Sequence, residues 1–330
     1  MEIKTARKAG LPAITFAVVT LNEEKRIREC LSAIYLQDYP KNKMEVIIMD
    51  GGSTDKTLVI AKEFKATVYF NKEKLAEPGM ALAYKKARGD YMVFMAADNI
   101  IFDNSWTRKM VQPFLDDPVN IVASYCRVVH PPSDNIWNKY MNEDAEPFSA
   151  FVFEDTSHPE KFRKAYSVTK ETDDYVVYNF TLGNFPLIAL AQCFVLKTRL
   201  KRKRESKFDD ILPLIEVIKN KREMAYVKNT GIYHLSVKDF SNLCQKLKRR
   251  VYNSISTGSY AARDEYVSFK RKVRRYLFLL YSLSVLFPFI DGVKMSLKKR
   301  EPYALIHPIV SLIIAYYIFL NFMKIKVWRK

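Results

Sequence analysis

The sequence has few cysteines, and they are scattered. Only four occur in 330 residues, namely Cys30, Cys126, Cys193 and Cys244, and no two of them form a C-x-x-C pair. This spacing excludes a disulfide framework and gives no sign of a structural zinc site. It fits a chain that works in a reducing compartment.

An apolar leader and a repeat are also missing. The N-terminal stretch MEIKTARKAGLPA has no apolar core, so we expect no signal peptide. No internal repeat or low-complexity linker stands out. The length is enough for one large domain and a smaller appendage.

Acidic residues are in deficit, and the formal net charge is +18. Residues 197–207 hold seven basic side chains and one acidic, and residues 238–275 hold eleven basic and three acidic. This balance indicates nucleic acid, anionic lipid or a phosphate-bearing substrate as partner, or else a solvated basic surface. Because KTRLKRKRESK carries no aromatic side chain, nucleic acid is the least favoured of these partners.

The first hundred residues alternate between apolar runs and helical spacing. The pattern predicts strands at Ile14–Val19, Met44–Met49, Thr67–Phe70 and Tyr91–Met95, and helices at Glu23–Leu36, Asp55–Phe64 and Gly79–Ala87. Ser53 or Thr54 is available to cap the second helix. The alternation predicts an α/β fold with a mostly parallel sheet covered by helices on both faces. Ligands in such sheets bind beyond the carboxyl ends of the strands.

The last 55 residues contain two long apolar segments, in contrast to the alternating pattern of the first hundred residues. Tyr303–Met323 holds no charged side chain and is long enough to span a bilayer, whereas Tyr276–Val293 contains Pro288 and Asp291. We expect a transmembrane helical hairpin, with a buried core helix pair as the alternative. Pro288 and Asp291 also allow the first segment to be tilted or to lie partly in the interface. The basic flanks of the pair favour a cytosolic catalytic domain, although the connecting loop Lys294–Arg300 is basic as well.

Two carboxylates follow predicted strands. Asp50 ends MEVIIMD before two glycines, where it can accept bonds from a ribose hydroxyl or a base N–H, or belong to an ordinary strand-to-helix turn. Asp98 ends YMVFMAAD and suits Mg²⁺ or Mn²⁺ beside a diphosphate, or else acts as a turn residue. Asp209 and Asp210 open the segment KFDDILPLIEVIKN, either as helix caps or as the site of a general base.

These segments together resemble the family 2 glycosyltransferases with the GT-A fold. The resemblance rests on VVTLNEEKRIRECLSAI, EVIIMDGGSTDKT, ARGDYMVFMAADN and FDDILPLIEVIKNKREMAYVKNTGIYH, and it covers roughly residues 12–235. It implies a Rossmann-like sheet, a nucleotide-diphosphate sugar donor, a divalent cation and inversion at the anomeric carbon. It assigns the donor site to Thr20, Asn22, Glu23, Asp50, Gly51, Ala97 and Asp98, the metal to Asp98 and His234, and the catalytic base to Asp210.

One position departs from the family pattern. Ala96 replaces the first acid of the D-x-D metal motif, so the loop reads A-A-D-N. The cation is then held by Asp98, the diphosphate, water and His234, and the departure predicts weak or dispensable metal binding. An inactive scaffold is the corresponding alternative.

The later part of the chain resembles the processive, membrane-embedded branch of the family, such as cellulose synthase, in reduced form. DFSNLCQKLKRRVYNS offers Gln245, Arg249 and Arg250 in the place of a Q-x-x-R-W helix, with the two arginines assigned to the diphosphate. The crenarchaeal mannosyltransferases of lipid-linked N-glycan assembly are a similar group. Their likeness implies mannose from GDP-mannose and a dolichyl- or polyprenyl-linked glycan acceptor.

The sequence thus predicts three regions: a GT-A catalytic domain at 1–237, basic amphipathic interface helices at 238–275 and a membrane domain at 276–330. The expected partners are a nucleotide-diphosphate sugar, a lipid-linked acceptor and anionic lipids at the cytosolic face of the cell membrane. A polyprenyl-phosphate monoglycosyl synthase is the alternative enzyme. A basic membrane scaffold or a nucleic-acid-binding protein is the alternative of another class.

Overall fold

The structure is a computed structural model that describes residues 10–143, 146–153, 159–186, 192–200, 212–256 and 269–328. It divides into two compact units. The first comprises Met1–Arg127, Ser167–Asn179 and Ala189–Tyr233, and the second comprises Val128–Tyr166, Phe180–Ile188 and His234–Lys330. The three-region division given above stays a prediction.

A ten-stranded sheet is the centre of the first unit. Its strands are β1 Ile14–Thr20, β2 Met44–Asp50, β3 Thr67–Phe70, β4 Tyr91–Ala96, β5 Asn99–Ile101, β6 Ile121–Val129, β7 Val168–Glu171, β8 Tyr175–Tyr178, β9 Gln192–Lys197 and β10 Glu223–His234. The strand order is β3-β2-β1-β4-β9-β6-β10-β8-β7, with β5 paired to β10. The four strands predicted from sequence are all confirmed.

The sheet is mixed rather than mostly parallel. Strands β3, β2, β1 and β4 run parallel, as predicted. Beyond β4 the direction changes, because β9 is antiparallel to β4 and to β6, and β8 is antiparallel to β10 and to β7. The prediction was limited to the first hundred residues, where helical crossovers force neighbouring strands to be parallel.

Five helices of the described residues belong to the first unit: α1 Ile27–Tyr35, α2 Thr57–Glu63, α3 Ala76–Lys86, α4 Trp106–Asp116 and α8 Leu212–Lys219. Every residue of β1 is buried, and α1 buries Ile27, Cys30, Leu31 and Ile34 at the predicted helical spacing. Strand β1 and helix α1 are both anchored in the core, and together they position the loop that joins them.

The predicted cap of α2 is wrong. Neither Ser53 nor Thr54 caps this helix, which begins at Thr57 without a side-chain cap on Lys56. Instead the carboxylate of Asp55 accepts hydrogen bonds from the N–H of Thr57 at 2.9 Å and from its hydroxyl at 2.5 Å. The helix starts later than predicted because Ser53 and Thr54 bond to other parts of the chain.

The second unit is helical. Its helices are α5 Ile136–Glu143, α6 Pro147–Phe153, α7 Pro159–Ala165, α9 Phe240–Ser256, α10 Phe269–Ser284, α11 Leu286–Lys299 and α12 His307–Trp328. Its core joins the apolar face of α9 to α5, α10 and α12, through buried residues such as Leu243, Leu247, Tyr140, Phe278 and Val310.

Among the described residues, one helical stretch, Pro302–Met323, is long and apolar enough to cross a membrane by length and composition. The other predicted span is broken, since α10 and α11 meet at an angle of 88°. The break lies at Val285, which has a φ of 56°. Pro288 explains the position, because a proline is tolerated in the first turn of a new helix but not inside a continuous one. Helix α11 also continues to Lys299, so most of the predicted connecting loop is helical.

Candidate active site

Three strand ends meet at one edge of the sheet in the first unit. The parallel register pairs Thr20 with Asp50 and Val19 with Ala96. The loops that follow β1, β2 and β4 are therefore neighbours at the carboxyl edge, where sheets of this kind bind ligands. This arrangement brings the sequence-predicted residues 20–23, 50–51 and 97–98 to a common edge.

Asp50 organises the loop after β2. It is 2% exposed, and its Oδ2 accepts hydrogen bonds from the backbone N–H groups of Gly52 at 2.7 Å and Ser53 at 2.9 Å. Its Oδ1 accepts a third from the Ser53 hydroxyl at 2.5 Å. Gly52 has a φ of 90°, a conformation open to glycine and strained for other residues. In this structure the carboxylate holds the turn in place.

Asn22 joins the first loop to the second. Its backbone N–H donates to the Ser53 hydroxyl at 2.9 Å, and its side-chain oxygen accepts from the N–H of Thr54 at 2.8 Å. Its φ of 56° lies in the left-handed region, which asparagine tolerates better than most residues. The next N–H group, that of Glu23, donates to the Thr57 hydroxyl at 2.8 Å.

Asp55 adds a further link between these loops. Its Oδ2 accepts from the N–H of Glu24 at 3.1 Å. Burial raises the pKa of Asp55, but hydrogen bonds from Thr57 and Glu24 outweigh that effect and hold the pKa below its usual range. The carboxylate therefore stays ionised and keeps both loops together.

Thr20 carries a buried hydroxyl with no hydrogen-bond partner among the described residues. The residue itself is 7% exposed and lies directly beside Asp50 in the strand register. Buried hydroxyl groups in native proteins nearly always have a partner. The arrangement leaves a hydrogen-bonding group available at the strand ends.

The loop after β4 places Asp98 next to a guanidinium. Nη1 of Arg26 lies 4.0 Å from Oδ2 of Asp98, and the side chains are only 12% and 15% exposed. Ala97 is 1% exposed, and the carbonyl of Ala96 accepts a hydrogen bond from Nδ2 of Asn99 at 3.2 Å. Sequence reasoning missed Arg26, and its presence in the NEEKRI motif was the available signal.

These residues fit a divalent cation poorly. Ala96 supplies no side-chain oxygen, and Asp98 already faces a positive charge. Burial raises the pKa of the nearby Cys30 thiol, and the charge of Asp98 adds to this. No group of three potential metal ligands occurs within the part of the chain that the structure describes.

The remaining predicted site residues are not part of the described first unit. His234 belongs to the second unit, whereas Asp98 belongs to the first. Nδ1 of His234 is 2.9 Å from Oδ1 of Asn142, and its carbonyl accepts from Nδ2 of that same asparagine at 2.6 Å. Arg249 and Arg250 are exposed on α9. Asp210, like Asp209, lies outside the described residues.

Two archaeal proteins are similar in sequence over part of their length. Dolichyl N-acetyl-alpha-D-glucosaminyl phosphate 3-beta-D-2,3-diacetamido-2,3-dideoxy-beta-D-glucuronosyltransferase of Methanococcus voltae is 36% identical over 91 residues, which are 26% of this chain and 28% of that protein. Glycosyltransferase AglE of Haloferax volcanii is 28% identical over 137 residues, or 39% of this chain and 44% of that protein. The match spans less than half the length of either relative.

One solved structure has the same fold over almost the whole chain. The mannosyltransferase PcManGT from Pyrobaculum calidifontis, in complex with GDP-Man and Mn²⁺, superimposes with a TM-score of 0.53 at 16% identity. The likeness covers 94% of this chain and 88% of that one. It confirms the GT-A fold predicted from the sequence motifs.

The sequence profile of glycosyl transferase family 2 matches residues 15–184, just over half of the 330 residues. The matched region includes the four parallel strands and the three loops at their carboxyl ends. With the family profile and the fold in agreement, this chain belongs to glycosyl transferase family 2.

Proposed function

We propose that this protein is an inverting glycosyltransferase that moves a sugar from a nucleoside-diphosphate donor to a polyprenyl- or dolichyl-linked glycan. The favoured donor is GDP-mannose. The observation that carries the proposal is the strand register that sets Thr20 beside Asp50 and Val19 beside Ala96. It supports one donor site built from three adjacent loops.

The chemistry of these loops suits a nucleotide. The Thr20 hydroxyl has no hydrogen-bond partner among the described residues, and it and the carboxylate of Asp50 offer hydrogen-bonding atoms to a ribose or a base at the sheet edge. A Cβ on Gly51 would lie 3.3 Å from the Cα of Lys74, so the close approach of that backbone favours glycine in the loop after β2.

The acceptor is proposed from the membrane features and the relatives. Pro302–Met323 has the length and composition of a membrane span. The Methanococcus relative is named for a dolichyl phosphate sugar, and a long prenyl chain keeps an acceptor in the bilayer.

Basic side chains of the second unit would face anionic headgroups, each contributing about 1 kcal/mol near the surface. The donor site would then lie on the cytosolic side, where nucleotide sugars are made.

The reaction would be a single displacement. The acceptor oxygen forms a bond to C1 of the donor sugar while the bond from C1 to the diphosphate oxygen breaks. The electron pair leaves with the nucleoside diphosphate, and the acceptor proton passes to a general base, for which Asp210 is proposed. One base suffices, because the reaction has no covalent intermediate.

A donor and acceptor screen tests the function. Purified protein in detergent is mixed with GDP-mannose or UDP-GlcNAc and with a short-chain polyprenyl-linked sugar or polyprenyl phosphate, and product is measured by mass spectrometry. Transfer to the lipid-linked sugar is expected. Transfer to polyprenyl phosphate alone would favour the monoglycosyl synthase, and no transfer with any pair would contradict the proposal.

A further inference from the structure

Arg26 is a charged residue beside the altered metal motif, and the predicted chemistry gives it no role. It directly precedes α1, where its N–H donates to the carbonyl of Glu23 at 2.9 Å. Its side chain is 12% exposed, and its guanidinium lies 4.0 Å from Asp98. Arg28, two residues later, has a side chain that is 55% exposed and pairs with Glu63 at the surface. Arg26 is therefore held at the sheet edge, unlike its neighbour.

A positive charge at this position would stabilise the diphosphate leaving group. In the displacement, negative charge grows on the departing diphosphate, and a positive group close to it lowers the barrier. Divalent cations usually do this through several oxygen ligands. The loop here offers one carboxylate, with an alanine methyl group in the place of the other. A guanidinium carries a permanent charge and binds phosphate oxygens in a forked geometry.

We propose that Arg26 replaces the divalent cation: its guanidinium binds the donor diphosphate, oriented by Asp98, so that donor binding and transfer need no metal. This inference rests on the proposed function. The bonds made and broken are those of the displacement described above, and the electron pair of the broken C1–O bond remains on a diphosphate paired with Arg26.

Binding of GDP and UDP, measured by calorimetry, is the first test because it needs no acceptor. The better of the two nucleotides should bind the wild-type protein equally well in excess EDTA and in Mn²⁺. Arg26→Gln should weaken that binding by about 10-fold or more, and Arg26→Lys by less, since an ammonium keeps the charge but not the fork. Arg28→Gln on the same turn is the control and should bind as the wild type does.

Turnover is the second test. Wild-type transfer should persist in EDTA, and Arg26→Gln should lose about 10²-fold in kcat/KM. The double variant Ala96→Asp/Arg26→Gln restores the missing acid and removes the guanidinium, and its activity should rise with Mn²⁺. Wild-type transfer or nucleotide binding that is lost in EDTA and restored by Mn²⁺ would overturn the inference and leave the proposed function intact. The comparison of EDTA with Mn²⁺ uses the wild-type protein, so it tests the inference even if a variant fails to fold. Absence of transfer with every donor and acceptor would instead contradict the function itself.

Discussion

The hydroxyl of Tyr140 lies 2.5 Å from Nδ1 of His307, which is the first residue of α12. The other ring nitrogen, Nε2, lies 2.9 Å from the hydroxyl of Tyr281, and that hydroxyl also donates to Oδ2 of Asp291 at 3.0 Å. His307 is 4% exposed. Three helices and the start of α12 are thus joined by one chain of polar contacts, which ends at the half-exposed Asp291.

Tyr140→Phe should therefore destabilise the second unit. The change leaves a buried imidazole nitrogen without this partner, which costs about 1–3 kcal/mol of unfolding free energy. Thermal unfolding in detergent measures the effect. Tyr316→Phe is the control, because Tyr316 is 58% exposed. Equal shifts in the two variants would contradict a specific role for the hydroxyl of Tyr140.

Asp50→Ala should lower donor affinity by at least about 10-fold, because the loop after β2 loses its anchor as well as a hydrogen-bond acceptor. The N–H groups of Gly52 and Ser53 would lose the carboxylate they now share. Calorimetry with GDP and UDP gives the affinity, and Asp38→Ala, at an exposed ion pair with Arg108, is the control. Unchanged affinity in Asp50→Ala would remove this residue from the donor site.

Asp103 should make stability depend on pH in the acid range. Burial raises its pKa, but hydrogen bonds from Lys109, Ser105 and Thr230 outweigh this and lower the pKa to about 2. A lowered folded-state pKa gives stability that is complete above the unfolded value of about 3.9 and is lost as pH falls towards about 2.

The measurement is the unfolding free energy of wild type and Asp103→Asn from pH 7 to about pH 2. The wild type should be more stable by about 1–3 kcal/mol above about pH 4, and the difference should shrink below that. Asp173→Asn, at an exposed position, is the control. A difference that stays constant through the acid range would show that the ionised carboxylate is not responsible.

Asp210→Asn should abolish transfer while donor binding is retained. Loss of a general base typically lowers the rate by about 10²–10⁴-fold. Single-turnover transfer and calorimetric donor binding separate the two effects. Normal turnover in this variant would favour the monoglycosyl synthase, since a phosphate acceptor is already anionic and needs no base.

Truncation after Arg275 should release the protein from membranes at high salt, because it removes most of α10 and all of α11 and α12. Sedimentation with native membranes measures this, and retention in the pellet would contradict a C-terminal anchor. At low salt the basic residues left on α9 should still bind anionic vesicles, since electrostatic attraction is screened as salt increases.

Leu297→Cys in a Cys244→Ser background reports the topology. Leu297 is 74% exposed, whereas the other three cysteines are buried. The two crossings predicted from sequence require an impermeant thiol reagent to label Leu297→Cys in intact cells. Protection would mean that the 88° bend at Val285 keeps this segment on the cytosolic side.

The sequence by itself determined the first half of the sheet and the loops at its carboxyl edge. Strands β1 to β4 were predictable because each is a short apolar run and helices of regular spacing separate them. The helices between them force parallel neighbours, so the carboxyl ends must meet at one edge. The order of the motifs that follow these strands in the sequence also indicates the family.

Tertiary structure alone decided what depends on contacts between distant residues. The antiparallel half of the sheet is one example, because it depends on pairings between distant residues such as Tyr91 with Lys197. The pairing of Arg26 with Asp98 is another, because 72 positions separate the two residues in the sequence and no local pattern links them. The bend at Val285 was decided there as well. Pro288 and Asp291 marked the segment as irregular, but the direction of the chain depends on backbone dihedral angles, and hydrophobicity does not specify these.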